Sequence, residues 1–181
     1  RPARENARSI LAALKDFGAA RCTGYDIDPQ RIKEANENAK TAGVTAKVKF
    51  VIGNLFEADF RDATVVTLYL LPEVNRRLRP KLLKDLKVGS RIVSHQFDMG
   101  DWEADETAEI EHRTAYLWIV PAQVEGNWTF REEGGKTTFS AAMTQKFQRV
   151  SGEAGMGGKM NPLVGASLRG EEIRFACASS R

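Results

Sequence analysis

Histidine and cysteine are scarce in this chain of 181 residues, with two of each, His95, His112, Cys22 and Cys177. Two thiols are too few for a disulfide framework or for a zinc site of four thiolates. Adding two imidazoles does not change that, and no metal is expected. Long apolar runs are missing as well, so no membrane span is expected, and the first residues given do not read as a signal peptide. Excess charge is a further absence. A net charge of +3, spread along the chain, gives no basis for binding nucleic acid or a membrane surface. A reducing, cytoplasmic setting is the expectation.

What is present is ordinary for a globular protein. Hydrophobic residues make up 42% and charged residues 28%, which excludes wholesale disorder and leaves room for one well-cored domain with a small appendage. The first part alternates between periods of 3.6 and 2. Residues 7–17 place Ile10, Leu11, Leu14 and Phe17 on one helical face, and Gly18 is a stop. A strand over 21–25 is followed by a helix over 30–41 with Ile32, Ala35 and Ala39 inward. Strands are predicted over 44–52, 64–71 and 90–97, the second being the near-continuous apolar run of a strand covered on both faces. Between the last two lies a helix over 73–86, which Pro80 is expected to break. This alternation predicts an α/β sheet.

After about Trp102 the pattern changes. Segments 115–120, 127–130, 137–150 and 173–178 read as strands, separated by turns containing Gly134-Gly135, Gly152, Gly155 and Gly157-Gly158. The first would close the α/β sheet as an antiparallel edge, and the others would form a β-rich appendage. The predicted division is 1–122 and 123–181.

Chemistry-bearing residues fall at predicted strand ends, where open α/β sheets bind nucleotides. Asp26 ends the first strand, and an acidic residue there can accept both hydroxyls of a ribose. Gly53-Asn54-Leu55-Phe56 ends the second and offers an amide for a base edge and apolar groups for its faces. Leu70-Leu71-Pro72-Glu73 ends the third. Each has a plainer alternative. An aspartate ahead of Pro29 can be a helix cap, Asn54 can serve only its turn, and His95 can be a satisfied strand residue. Trp102, Trp118 and Trp128 can be core, and the acidic stretch Asp98, Asp101, Glu103, Asp105 can be a solvated loop rather than a lure for a basic substrate.

Four segments are more specific than this general pattern. They are Gly24-Tyr25-Asp26-Ile27-Asp28-Pro29, Asn54-Leu55-Phe56-Glu57, Asp62 through Glu73, and Ser94-His95-Gln96-Phe97-Asp98-Met99-Gly100-Asp101-Trp102. The chain resembles class I S-adenosylmethionine-dependent methyltransferases, and within them bacterial relatives of the protein-lysine methyltransferases that modify mitochondrial carriers and the ATP synthase c subunit. The resemblance implies a Rossmann-like sheet, S-adenosyl-L-methionine as cofactor, and a protein lysine as acceptor. It implies cofactor contacts at Asp26, Ile27, Asn54, Leu55, Tyr69 and Leu71, substrate contacts at Pro72, Phe97 and Trp102, and proton acceptance or relay at Glu73 or His95. The family's usual acidic residue after the second glycine-bearing strand end is here Asn54, a mild departure. A non-catalytic methyltransferase-like binding protein and a small-molecule methyltransferase are the alternatives.

The same resemblance calls for a strand and a Gly-x-Gly-x-Gly turn ahead of the first helix. Residues 1–9 are neither apolar nor glycine-bearing. That strand would lie between the strands ending at Tyr25 and Leu71, and its loss would leave a gap of roughly 10 Å, about two strand spacings. The expectation is therefore that the chain is incomplete at its N-terminus.

Overall fold

The computed structural model describes residues 2–131, 133–134 and 137–177. Of the sequence expectations, those on Arg1, Gly135 and Ala178 lie outside the described residues. Helix α1 (Pro2–Lys15) leads into strand β1 (Cys22–Asp26), helix α2 (Pro29–Thr41) and strand β2 (Val48–Ile52). β1 and β2 are parallel, with Asp26 opposite Ile52. Gly24 sits under α1: a Cβ there would come within 2.9 Å of the Ile10 Cδ1 atom and 2.7 Å of a Phe50 ring carbon. The missing side chain is what lets helix and strand approach.

Strand β3 (Val65–Leu68), helix α3 (Pro72–Asp85) and strand β4 (Arg91–His95) form the next unit, and β3 and β4 are parallel. Strands β5 (Glu106–Ile110) and β6 (Arg113–Ile119) then extend that sheet antiparallel, in the order β3-β4-β6-β5. β1-β2 forms a sheet of its own, with no ladder joining it to β3 among the described residues. Its polar tie to the larger sheet comes from Arg21, which reaches Asp62 at 3.3 Å where both strands begin. Across the other end, Ser9 of α1 bonds to the Tyr69 hydroxyl at 2.9 Å.

Several sequence expectations need correction. Phe17 is not on the inner face of α1; the helix ends at Lys15, Gly18 turns the chain with φ +67°, and Phe17 is left 83% exposed. The first residues of the predicted strand 44–52 form a 3-10 turn, Thr45–Lys47, so the ladder starts at Val48. Pro80 does not break α3. It removes one backbone hydrogen bond, while Leu78 and Leu82 on either side are buried in the main core, and that packing holds one continuous helix. β6 is antiparallel but not the edge; that place belongs to β5, whose Glu-Thr-Ala-Glu sequence is too polar to read as a strand.

The β-rich unit is a five-stranded meander in the order β11-β10-β9-β8-β7. Its strands are β7 (Gly126–Arg131), β8 (Thr138–Lys146), β9 (Arg149–Met156), β10 (Lys159–Arg169) and β11 (Glu172–Cys177). Segment 137–150 is thus a hairpin turning at Phe147-Gln148 rather than one strand. β10 escapes sequence reading because Pro162 and Gly165 interrupt it; Gly165, with φ +61°, lies where the ladder shifts register. The unit has its own core, built on Ala141, Met143, Val150, Ala154 and Leu168.

The acidic stretch fastens this unit to the first. Asp101 takes hydrogen bonds from Arg79 of α3 at 2.6 Å and pairs with Lys146 of β8 at 3.0 Å. Glu103 pairs with Arg149, and its carbonyl accepts from Gln148 at 2.7 Å. Asp105 accepts from the Ile119 amide at 2.7 Å, and burial raises its carboxyl above the ordinary value.

Leu82 is 0% exposed, so Leu82→Ala is expected to lower unfolding free energy by roughly 2–5 kcal/mol in denaturant titrations. The hydrogen bonds from Lys146 and Arg79 lower the Asp101 pKa to about 2. A folded-state pKa below the unfolded value of roughly 3.9 stabilises fully above that value and is lost as pH falls toward 2. Tryptophan fluorescence followed down from pH 5 should show the two units loosening in that window, and Asp101→Asn should remove that component of the profile.

Candidate functional site

The end of β1 carries two aspartates with separate tasks. Asp28 is the N-cap of α2: its Oδ1 accepts from the Gln30 amide at 2.9 Å, and Pro29 follows in the first turn. Asp26 is therefore free of the capping role. One of its oxygens accepts from the Asp28 amide at 3.0 Å, and the other lies 3.6 Å from the Arg31 guanidinium, which also reaches Asp28. Two anchors fix the carboxylate in place, and a carboxylate has further lone pairs to offer. Beside it Ile27 is 78% exposed, and Ile52, the cross-strand partner of Asp26, is also exposed.

At the end of β2, the Gly53 amide donates to the Asp26 carbonyl at 3.1 Å, which ties the two strand ends together. Asn54 is engaged in its own turn: Oδ1 accepts from the Phe56 amide at 3.1 Å, and Nδ2 donates to Glu57 at 3.1 Å. Its side chain thus shapes the turn. Leu55 and Phe56 pack against the main core, and the Arg77 guanidinium of α3 lies 4.9 Å from the Phe56 ring. The β2 turn is thereby held against the helix that follows β3.

At the ends of β3 and β4 the side chains converge. The Tyr69 ring stacks on the His95 ring with centroids 5.0 Å apart, and the His95 Nε2 atom is buried without a hydrogen-bond partner among the described residues. Leu71 is 62% exposed at the N-cap of α3, and Pro72 opens the helix. Glu73 projects into solvent from the first turn and pairs with Arg76 at 3.7 Å. Phe97 is half-buried, and its carbonyl accepts from the Asn75 amide at 3.1 Å.

Asp26, Ile27, Asn54 and Leu55 therefore gather around one pair of strand ends, and Tyr69, Leu71, Pro72, His95 and Phe97 around the other. Trp102 does not join them, and its assignment as a substrate contact is corrected: the ring is 0% exposed and stacks on Phe147 in the core. Two residues escaped sequence reasoning. Ser9, the partner of Tyr69, carries no sequence signal. Asn75 does: it occupies the inward face of α3 in register with Leu78 and Leu82, and a polar residue on a buried stripe must serve a purpose. Its Nδ2 donates to Ser94 Oγ at 3.0 Å and reaches the carbonyls of Phe97 and Asp98, fixing the chain as it leaves β4.

This set suits the adenosine portion of a nucleoside ligand: an anchored carboxylate for hydroxyls, with exposed apolar side chains beside it. The protein-lysine N-methyltransferase of Saccharolobus islandicus is 43% identical over 117 residues, which covers 62% of this chain and 73% of that protein. The adenine nucleotide translocase lysine N-methyltransferase of Mus musculus is 33% identical over 117 residues, and the match spans 50% of its length. A crystal structure of an RNA methyltransferase from Salinibacter ruber in complex with S-adenosyl-L-homocysteine is 50% identical, with a TM-score of 0.62, covering 65% of this chain and 76% of that one. The family described as the ANTKMT methyltransferase domain matches residues 6–106, more than half the chain and the whole of the strand-end site, and the protein belongs to that family.

Proposed function

We propose that the protein is an S-adenosylmethionine-dependent methyltransferase that modifies a lysine side chain of a protein. The observation that carries this is the division of labour at the end of β1, where Asp28 caps α2 and leaves the Asp26 carboxylate held in place with Ile27 exposed beside it. The residues present fit the adenosine half of the cofactor. Asp26 would accept the ribose hydroxyls, Ile27 and Leu55 would face the base, and Asn54 would border it through its turn. Tyr69 and Leu71 would line the end nearest the transferred methyl. S-adenosylmethionine supplies that methyl already activated on a sulfonium, so the protein's task is to position and desolvate the acceptor.

A lysine amine reacts only after losing its proton. Apolar surroundings at Leu71, Pro72 and Phe97 would favour the neutral amine. His95 is the better candidate for proton acceptance, because its Nε2 has no hydrogen-bond partner among the described residues, whereas Glu73 is solvated and shared with Arg76. We also infer that the space between β1 and β3 is the place of a further parallel strand. β1 has a ladder only to β2 and β3 only to β4 among the described residues, so each has an edge left over. RNA is the second acceptor class to consider, on the strength of the Salinibacter ruber enzyme. The low net charge, and the pairing of Arg79, Arg149 and Arg169 with carboxylates, weigh toward protein.

Calorimetry with S-adenosylhomocysteine should detect binding that Asp26→Ala weakens by roughly 1–3 kcal/mol. Asp28→Ala should instead cost about 1 kcal/mol of stability while leaving affinity within a few-fold. An Asp26→Ala protein with wild-type affinity would remove the ribose assignment. Transfer of labelled methyl into a proteome and into total RNA, followed by peptide mapping, should place the label on lysine; label found only in RNA would overturn the acceptor.

A further inference from the structure

Resting on the methyltransferase reading above, we propose that the β8–β9 turn of the β-rich unit is a positioning element of the acceptor site, with Phe147 and Arg79 as its positioning residues. The family match ends at residue 106, so nothing in it assigns a role to this turn.

The segment between β4 and β5 leaves the sheet directly after His95. Gln96 takes φ +71°, and the chain then passes Phe97 and Asp98 and folds back in a tight turn, with Met99 bridged to Trp102 and Gly100 at φ +71°. From one side α3 holds it: Asn75 grips the carbonyls of Phe97 and Asp98, and Arg79 donates to the Met99 carbonyl at 2.6 Å and to Asp101. From the other side comes the β8–β9 turn. The Phe147 ring stacks on Trp102 with centroids 5.6 Å apart, and the Arg79 guanidinium lies 5.0 Å from its centroid. One guanidinium thus touches both the inserted ring and the backbone of the segment.

Phe147 has φ +55°, a left-handed conformation uncommon for a residue other than glycine, asparagine or aspartate. Gln145 helps hold it there, donating to the Phe147 carbonyl at 2.7 Å and to the Ala122 carbonyl at 2.8 Å. A turn kept in an unfavourable conformation, with its neighbours Lys146, Gln148 and Arg149 all bonded to Asp101 or Glu103, is a device for placing one ring. What that ring fixes is the stretch that presents Phe97 beside His95. Withdrawing it would loosen the acceptor side of the site while the strand ends around Asp26, which are tied to one another by the Gly53–Asp26 and Asp28–Asp26 bonds, keep their geometry.

The test uses the full chain, S-adenosylhomocysteine, and an acetylated single-lysine peptide carrying the mapped acceptor sequence. In Phe147→Ala, amide exchange over 96–104 should rise at least tenfold and the peptide KM at least fivefold. kcat and the Kd for S-adenosylhomocysteine should stay within twofold. Phe147→Tyr, which keeps the ring, should restore both. If Phe147→Ala does not fold, Arg79→Lys, which keeps the charge and loses the fork, should give the same split. An unmoved KM in an active enzyme overturns the positioning role alone, as does a parallel loss of kcat, KM and Kd in every variant. A wild-type chain that binds S-adenosylhomocysteine but methylates no lysine overturns the acceptor assignment and this role with it.

Discussion

The indole N–H of Trp118 donates to the Trp102 carbonyl at 2.9 Å inside the main core, and much of the molecule is arranged around that bond. Both indoles are fully buried, and the bond fixes where the chain returns after β4. Once Trp102 is placed, its ring offers a flat surface, and the β-rich unit sets Phe147 on it. Phe147 packs with the main cluster although it belongs to a strand turn of the other unit. Burial makes the bond valuable, because an unpaired carbonyl at that depth would cost about 1–3 kcal/mol.

Positioning at the strand ends follows a common logic of small polar anchors. Asp26 is steadied by the Asp28 amide and Arg31, the β2 turn by the Asn54 side chain, and the chain beyond β4 by Asn75. None of these bonds performs chemistry. Each removes freedom from a segment that a ligand would otherwise have to order on binding, which is the main cost of binding to a loop. The apolar groups left exposed among them, Ile27, Ile52 and Leu71, then have fixed positions.

The α/β half was legible because its periods are clear. Ile32, Ala35 and Ala39 lie on the buried face of α2; in β3, by contrast, only Val66 and Leu68 are buried and Val65 is 42% exposed, so the apolar run is covered on one face and not on both. The arrangement around Asp26 was legible in part, for a subtler reason. Two aspartates precede Pro29, so one can cap the helix and the other remains available. Sequence alone could not say which, since capping depends on the φ and ψ of Asp28. The β-rich half was poorly legible: β5 is polar, β10 contains proline and glycine, and the β8–β9 turn lies at Phe147 rather than at a glycine. Trp102 misled because an aromatic beside a strand end reads equally as a cage wall or as core, and only burial distinguishes them.

The internal pairing of the acidic stretch bears on how an acceptor arrives. Asp98 accepts from the Gly100 amide, Asp101 and Glu103 are matched by Arg79, Lys146 and Arg149, and Asp105 is bound to backbone. Three cations thus oppose these four carboxylates, and no strong net field projects into solvent beside the site. Without such a field, encounter is not accelerated by long-range attraction and depends weakly on ionic strength, with association in the ordinary range of about 10⁵–10⁷ M⁻¹s⁻¹. Selection of an acceptor then falls to contact at the strand ends rather than to capture from a distance.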